Sequence, residues 1–254
     1  MAEPMIRCIL LDIEGTTCPV DFVASVLFPY ARERLASYLE TNLDDPKVRA
    51  LMAATQAAFA ADPNPEVRAL YQAPITSSNP NQSNAAQEQI QLVAYLRWLI
   101  DHDIKLPALK DLQGHIWAAG YGCGDLVAPL FNDAAPTLLH WHQHGYALAS
   151  YSSGSVAAQQ LLYRHSSNGN LEGLFDHWFD TRTGAKQQPA SYGTIAEKLI
   201  LEPTQILFVS DAIAELEAAN AVGMAVRFSD REGNPARDPG PFMAIKSLAD
   251  IEMP

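Results

Sequence analysis

The stretch Ile6-Arg7-Cys8-Ile9-Leu10-Leu11-Asp12-Ile13-Glu14-Gly15-Thr16-Thr17 reads as a buried strand running straight into two acids, a glycine and two hydroxyls. Side chains alternate along a strand, so Asp12 and Glu14 share one side if the extended backbone persists. Gly15 lets the chain turn sharply just beyond them. One carboxylate of such a pair can attack an electrophile while the other handles a proton. An acid after a strand is also a common helix cap or turn residue, so the chemical reading needs partners elsewhere in the chain.

Working outward, four later segments read as strands: 146–151, 177–180, 206–210 and 225–228. Segments 155–164, 191–199 and 214–221 between them carry apolar residues at helical spacing. That alternation predicts a parallel α/β sheet, with 6–11 as its first strand. Between 21 and 132 the strand signal disappears, and 22–28, 30–41, 46–59, 85–102 and 109–121 read as helices. Pro29 is expected to separate or kink the first two, because an interior proline removes a helix hydrogen bond. The expected organisation is an α/β core of 1–20 and 133–254 with a helical cap, 21–132, inserted between the first two strands. The polar stretch 76–84 reads as a linker between cap helices rather than a lid. The segment 230–241 reads as loop before a short final helix, and no internal repeat is present.

Composition narrows the class. The chain has 254 residues, 48% of them hydrophobic and 18% charged, enough for a substantial core. No apolar run reaches the roughly 20 residues that span a bilayer, and Met-Ala-Glu-Pro lacks the layout of a signal peptide, so a cytoplasmic location is expected. Cys8, Cys18 and Cys123 show no paired spacing, which argues against disulfides or a cysteine zinc site. The net charge of −12 disfavours nucleic acid and anionic membranes as partners. An anionic substrate must therefore be held by local groups or a metal. The acidic surface and the lack of a long apolar seam point to a monomer.

Three further elements supply the partners. Tyr151-Ser152-Ser153-Gly154-Ser155 follows a strand and opens a helix, where backbone N–H groups, the helix dipole and hydroxyls can converge on anionic oxygens. Serine N-capping is the alternative there. Lys186, in Thr183-Gly184-Ala185-Lys186-Gln187-Gln188-Pro189, sits in a loop shaped by glycine and proline and can offset phosphate charge beside two acids. Ile206-Leu207-Phe208-Val209-Ser210-Asp211 is another apolar strand ending in a carboxylate, with Glu215 following as a helix-start acid or a supporting group. Strand ends on one sheet edge form the ligand crevice, so Asp12 and Asp211 can meet around one cation, and oxygen ligands suit Mg²⁺. His140 and His144 share a helical face but lack a third ligand, so 136–145 reads as an amphipathic helix.

Taken together, Asp12-Ile13-Glu14-Gly15-Thr16, Ser152, Lys186 and Asp211 resemble, in order, the haloacid-dehalogenase superfamily of phosphatases. More closely, the chain is similar to the enolase-phosphatase family of methionine salvage. The residues carrying that likeness are Asp12 to Thr17, Leu27-Phe28-Pro29-Tyr30-Ala31, Leu112-Gln113-Gly114-His115-Ile116-Trp117, Tyr151 to Ser155 and Ser210-Asp211. Glu14 stands where most phosphatases of the superfamily carry aspartate. Cys18, Val20 and Gln187-Gln188-Pro189 depart from the family pattern without removing a catalytic group.

The resemblance implies a three-layer Rossmann-like parallel sheet with an inserted all-helical cap. It also implies catalytic Asp12 and Glu14, and substrate binding by Ser152, Ser153 and Lys186. One Mg²⁺ would be held by Asp12, the Glu14 carbonyl and Asp211. The implied substrate is a small phosphorylated diketone, 2,3-diketo-5-methylthiopentyl 1-phosphate, which is enolised and then dephosphorylated through an aspartyl-phosphate. Trp117 and Tyr121 are candidates for the methylthio end, although aromatics at helical spacing more often pack. The competing readings are a phosphatase for another small phosphorylated metabolite, a dehalogenase, and a binding scaffold without activity.

Overall fold

Cys8, Ile9, Leu10 and Leu11 are all fully buried, because the strand they form has neighbours on both sides in the sheet. The structure, a computed structural model, describes residues 5–72 and 84–252. Of the expected linker 76–84, residues 76–83 lie outside the described residues, and Asn84 begins a helix. In chain order the elements are β1 (Cys8–Leu11), α1 (Phe28–Asn42), α2 (Pro46–Ala61), α3 (Pro65–Gln72), α4 (Asn84–Asp101), α5 (Pro107–Cys123), α6 (Ala134–Gln143) and β2 (Ala147–Tyr151). They continue with α7 (Val156–Arg164), β3 (His177–Phe179), α8 (Pro189–Leu199), β4 (Ile206–Ser210), α9 (Ile213–Ala221), β5 (Ala225–Ser229) and β6 (Ala244–Ile245).

The six strands form one parallel sheet in the order β3-β2-β1-β4-β5-β6. The order reverses between β1 and β4, and in open α/β sheets that switch point opens a crevice at the carboxyl ends of the strands. Leu11 pairs with both Ser150 and Val209, so Asp12, Ser152 and Asp211 emerge at the same edge. On one face Leu10, Tyr151 and Phe208 pack with Tyr192 and Ile195 of α8 and with Leu216 and Ala219 of α9. On the other, α6 packs against β2 and α7 against β3. Both faces are covered, which is why these strands read as continuous apolar runs rather than alternating ones. Each large apolar side chain buried there contributes roughly 1.5–3 kcal/mol.

The chain divides into two compact units, Met1–Ala24 with Tyr121–Pro254, and the inserted Ser25–Gly120. These boundaries differ from the expected 21 and 132. The stretch 121–132 belongs with the α/β unit because Tyr121 stacks on His165, Ala128 N–H donates to the His165 carbonyl and Phe131 N–H to the Thr17 carbonyl. The inserted unit is helical. Phe59 and Tyr95 stack with ring centroids 4.5 Å apart, the Tyr95 hydroxyl donates to Asp62, and Arg32 forks onto Asp101 at 2.6 and 2.8 Å. Trp117 is buried, and its indole N–H donates to the Leu27 carbonyl at 2.8 Å, so within this unit it serves packing.

At Pro29 the expected break takes the form of a change in helix type: a wide π turn, Val23–Leu27, runs directly into α1, and Pro29 lies in the first turn of α1. Three local readings change. α3 is absent from the sequence reading although Asn64 accepts from Glu66 N–H just before it, a start signal beside Pro65. β6 is a two-residue strand, too short to show periodicity, and the expected final helix is a single 3₁₀ turn at Leu248–Asp250 boxed by Ser247. No helix among the described residues is long and apolar enough to cross a membrane.

Candidate active site

The chain leaves β1 in a loop wound around one carbonyl. Thr16, Thr17 and Cys18 all donate their N–H groups to the Ile13 carbonyl at 2.9–3.1 Å, and Gly15 N–H donates to the Cys18 carbonyl at 2.7 Å. Gly15 has φ +71°, and a Cβ there would lie 2.6 Å from Asp211 Oδ2. Glycine is thus required both by the turn and by the close approach of the second strand-end acid. Asp12 itself is 6% exposed and its N–H is tied to the Val209 carbonyl.

Lys186 reaches this loop from 174 positions away. Its Nζ lies 2.6 Å from Asp12 Oδ1 and 2.7 Å from Glu215 Oε2. Burial alone would lower the ammonium's pKa, but the two carboxylates outweigh it and hold the lysine charged. Three hydroxyls fix the loop that carries it: Tyr151 donates to the Gly184 carbonyl, Ser191 to that of Ala185 and Tyr192 to that of Lys186, at 2.7–2.9 Å. A Cβ on Gly184 would collide with the Ser191 hydroxyl, so this glycine permits the anchoring.

The acids feel one another. Burial and the charge of Asp12 push Asp211 up to about 6, against the opposing pull of Arg237. Glu215 is likewise raised, first by burial and then by Asp12, and Lys186 and the Ser210 hydroxyl oppose the rise without cancelling it. Burial also raises the thiols of Cys8, to about 12, and Cys18, which keeps both protonated and inert.

On the β2 side, Ser155 is the residue that caps α7, accepting from Ala158 N–H. Ser152 and Ser153 precede the cap, and Ser152 Oγ accepts from Gly154 N–H. Gln159 braces this turn by donating to the carbonyls of Gly154 and Phe179 at 3.0 and 2.8 Å. The serine-rich turn therefore separates a capping serine from two that face the crevice.

The six residues to which the resemblance assigns catalytic, substrate-binding or metal roles, Asp12, Glu14, Ser152, Ser153, Lys186 and Asp211, line one cavity of about 210 Å³. Val20, Ala212, Glu215 and Arg237 complete it. Arg237 was not legible in sequence; its Nη1 donates to both the Asp211 carbonyl and Oδ2, at 2.7 and 2.8 Å. Tyr121 lies in the α/β unit with its hydroxyl buried and without a hydrogen-bond partner among the described residues. A larger cleft of about 460 Å³ is lined by Arg7, His144, Tyr146 and His177. It opens at the amino ends of the strands, away from the edge where such sheets bind ligands, and it holds no carboxylate side chain.

Four carboxylates, Asp12, Glu14, Asp211 and Glu215, face two cations, Lys186 and Arg237, in the smaller cavity. When all are ionised two negative charges remain, the complement of one divalent cation. Among the described residues no three His, Cys, Asp or Glu side chains gather as a metal-ligand cluster.

The haloacid dehalogenase-like hydrolase family matches residues 6–223. Enolase-phosphatase E1 of Parasynechococcus marenigrum (strain WH8102) is 46% identical over 244 residues, 96% of this chain and 97% of that protein. Enolase-phosphatase E1 of Synechococcus sp. (strain WH7803) is 44% identical over 249 residues, 98% of this chain and 100% of that one. The crystal structure of the UTR4 protein of Saccharomyces cerevisiae matches with a TM-score of 0.69 at 31% identity, covering 97% of this chain and 100% of that one. Sequence, fold and the acids at the switch point agree, and the chain belongs to the enolase-phosphatase E1 family of haloacid dehalogenase-like hydrolases.

Proposed function

We propose that this enzyme is a Mg²⁺-dependent enolase-phosphatase of methionine salvage. It would enolise 2,3-diketo-5-methylthiopentyl 1-phosphate and dephosphorylate the enol to the acireductone, 1,2-dihydroxy-3-keto-5-methylthiopentene. The observation that carries the phosphatase chemistry is the seating of Asp12. Lys186 takes Oδ1 at 2.6 Å, which leaves Oδ2 for in-line attack on phosphorus. The names of the relatives at 44–46% identity support the substrate.

Asp12 Oδ2 forms the new P–O bond as the P–O bond to the leaving oxygen breaks, giving an aspartyl-phosphate. Glu14 gives the leaving oxygen its proton and then takes one from the water that hydrolyses the intermediate. Lys186 offsets charge on the transferring group, and Glu215 holds Lys186 from the other side. Ser152 and Ser153, at the turn before α7, bind phosphate oxygens or their neighbours. The donor set fits Mg²⁺: two strand-end carboxylates, Asp12 and Asp211, with the Glu14 carbonyl, leave room for the water and phosphate oxygens this ion keeps. When bound, the ion would neutralise phosphate charge and polarise a substrate carbonyl.

The test is to supply the diketo phosphate with Mg²⁺ and record enediol absorbance and phosphate release together. Both signals are expected. Hydrolysis of generic phosphate esters without turnover of the diketone would instead favour a phosphatase for another small metabolite.

A further inference from the structure

The carbonyls of the nucleophile loop are held from behind by residues more than 200 positions away. Arg231 Nε and Nη2 both donate to the Thr16 carbonyl, at 3.1 and 2.9 Å. Its Nη1 donates to Asp133 Oδ2 at 2.8 Å and to the Lys246 carbonyl at 2.9 Å. The neighbouring Gly15 carbonyl accepts from the Ser229 hydroxyl at 2.8 Å and from Asn234 Nδ2 at 2.9 Å. The Arg231 side chain is 1% exposed, and its guanidinium lies 4.8 Å from the centroid of the Phe131 ring.

A buried cation of this kind is a poor stability device, because a well-packed apolar group often stabilises as much. Its distinguishing property is geometric: a planar fork satisfies a carbonyl on one edge and a carboxylate on another at fixed separation. Asp133 is built to receive it. Burial works against the Asp133 carboxylate, yet Arg231, the Leu248 N–H and the Ser247 hydroxyl hold its pKa below the usual range. On the front of the same loop Asp12 must meet phosphorus within a fraction of an ångström, and the loop's own backbone hydrogen bonds run to the Ile13 and Cys18 carbonyls, not to those of Gly15 and Thr16.

We infer that Arg231, assisted by Ser229 and Asn234, is a positioning residue that sets the attack geometry of Asp12 by clasping the Gly15 and Thr16 carbonyls. The clasp acts through the backbone and touches neither substrate nor metal. The inference rests on Asp12 being the nucleophile.

The experiment compares Arg231→Lys, Arg231→Gln and Asp12→Asn on p-nitrophenyl phosphate with Mg²⁺, well below each variant's melting temperature. A 1 Å misplacement costs about 100-fold, so kcat of both Arg231 variants is expected to fall about 10- to 100-fold. KM should change less than about threefold, because uniform binding is untouched. Affinity for beryllofluoride, which mimics the aspartyl-phosphate, should fall in parallel with kcat. An ammonium cannot span both partners, so Lys should not rescue.

A folded Arg231 variant with kcat within about twofold of the parent overturns the clasp, as does a loss confined to KM. If Arg231 variants do not fold, Ser229→Ala/Asn234→Ala decides: a fall in kcat of about fivefold or more at unchanged KM supports the clasp, and a smaller one overturns it. Turnover by Asp12→Asn overturns the nucleophile reading and the clasp with it. An inactive Asp12→Asn beside unchanged Arg231 variants overturns the clasp alone.

Discussion

Lys186 Nζ sits between Asp12 Oδ1 and Glu215 Oε2, at 2.6 and 2.7 Å, so one buried ammonium serves a strand-end acid and a helix acid 203 positions apart. The lysine neutralises Asp12 at Oδ1 and is itself held in place by Glu215. Its loop is fixed by the hydroxyls of Tyr151, Ser191 and Tyr192, so the cation is delivered preorganised.

Asp12→Asn is expected to abolish phosphate release while leaving the fold intact, since the amide fills the same space but cannot attack phosphorus. Phosphate release and circular dichroism check this. Retained activity overturns the assignment.

Lys186→Met leaves Asp12 and Glu215 buried without their shared cation. Breaking such a pair costs about 3 kcal/mol. The metal-free variant should therefore melt lower than the parent, and kcat should fall about 100-fold through lost charge stabilisation. Calorimetry without metal and a phosphatase assay with it separate the two effects. Unchanged kcat in the folded variant argues that lysine does not face the transferring group.

The pH dependence follows from Asp211. Its pKa in the folded, metal-free protein is raised to about 6, above the unfolded value of about 3.9. A raised carboxyl binds its proton more tightly when folded, so its contribution to stability is greatest below pH about 4 and is lost as pH rises through about 6. Above that pH the ionised, buried acid opposes folding by roughly 2–3 kcal/mol. A divalent cation relieves this only where Asp211 is ionised. Saturating Mg²⁺ should raise the melting temperature more at pH 7.5 than at pH 5. Equal shifts at the two pH values would falsify the assignment of Asp211 to the metal.

Arg237 competes for the same acid. Arg237→Gln removes from Asp211 Oδ2 its cation, the Arg237 guanidinium, whose side chain is 39% exposed. Loss of that partly screened charge should tighten Mg²⁺ binding by about three- to tenfold at low salt. Titration calorimetry measures it; weaker binding points instead to Arg237 orienting Asp211 for the metal.

Gly15→Ala tests the meeting of the two strand ends. The alanine must adopt φ +71°, and its Cβ must displace Asp211 Oδ2. Strain at such positions costs of order 1–3 kcal/mol, and activity should fall about 100-fold or more with misplacement of the acid. Wild-type kcat in this variant would show that the loop relaxes without moving Asp211.

Much of the core was legible. The five strands from 6–11 to 225–228 were readable because a sheet buried on both faces demands uninterrupted apolar runs with acids or hydroxyls at their ends. The inserted helical segment announced itself by the loss of those runs. α3 and β6 are absent from the sequence reading because eight and two residues carry too little periodicity.

The sequence by itself determined the alternation that makes a parallel sheet and the acids and serines at the ends of its strands, since each depends on patterns within about ten residues of the chain, whereas Lys186 stood out only by its place in the order of those elements. Tertiary structure alone decided that Arg237 meets Asp211, that Arg231 and Asn234 hold the Thr16 and Gly15 carbonyls, and that residues 121–132 belong with the α/β unit. Those residues lie in loops without periodicity. Their partners are mostly backbone carbonyls, which every residue possesses, so no side-chain pattern marks them until the fold brings the two ends of the chain together.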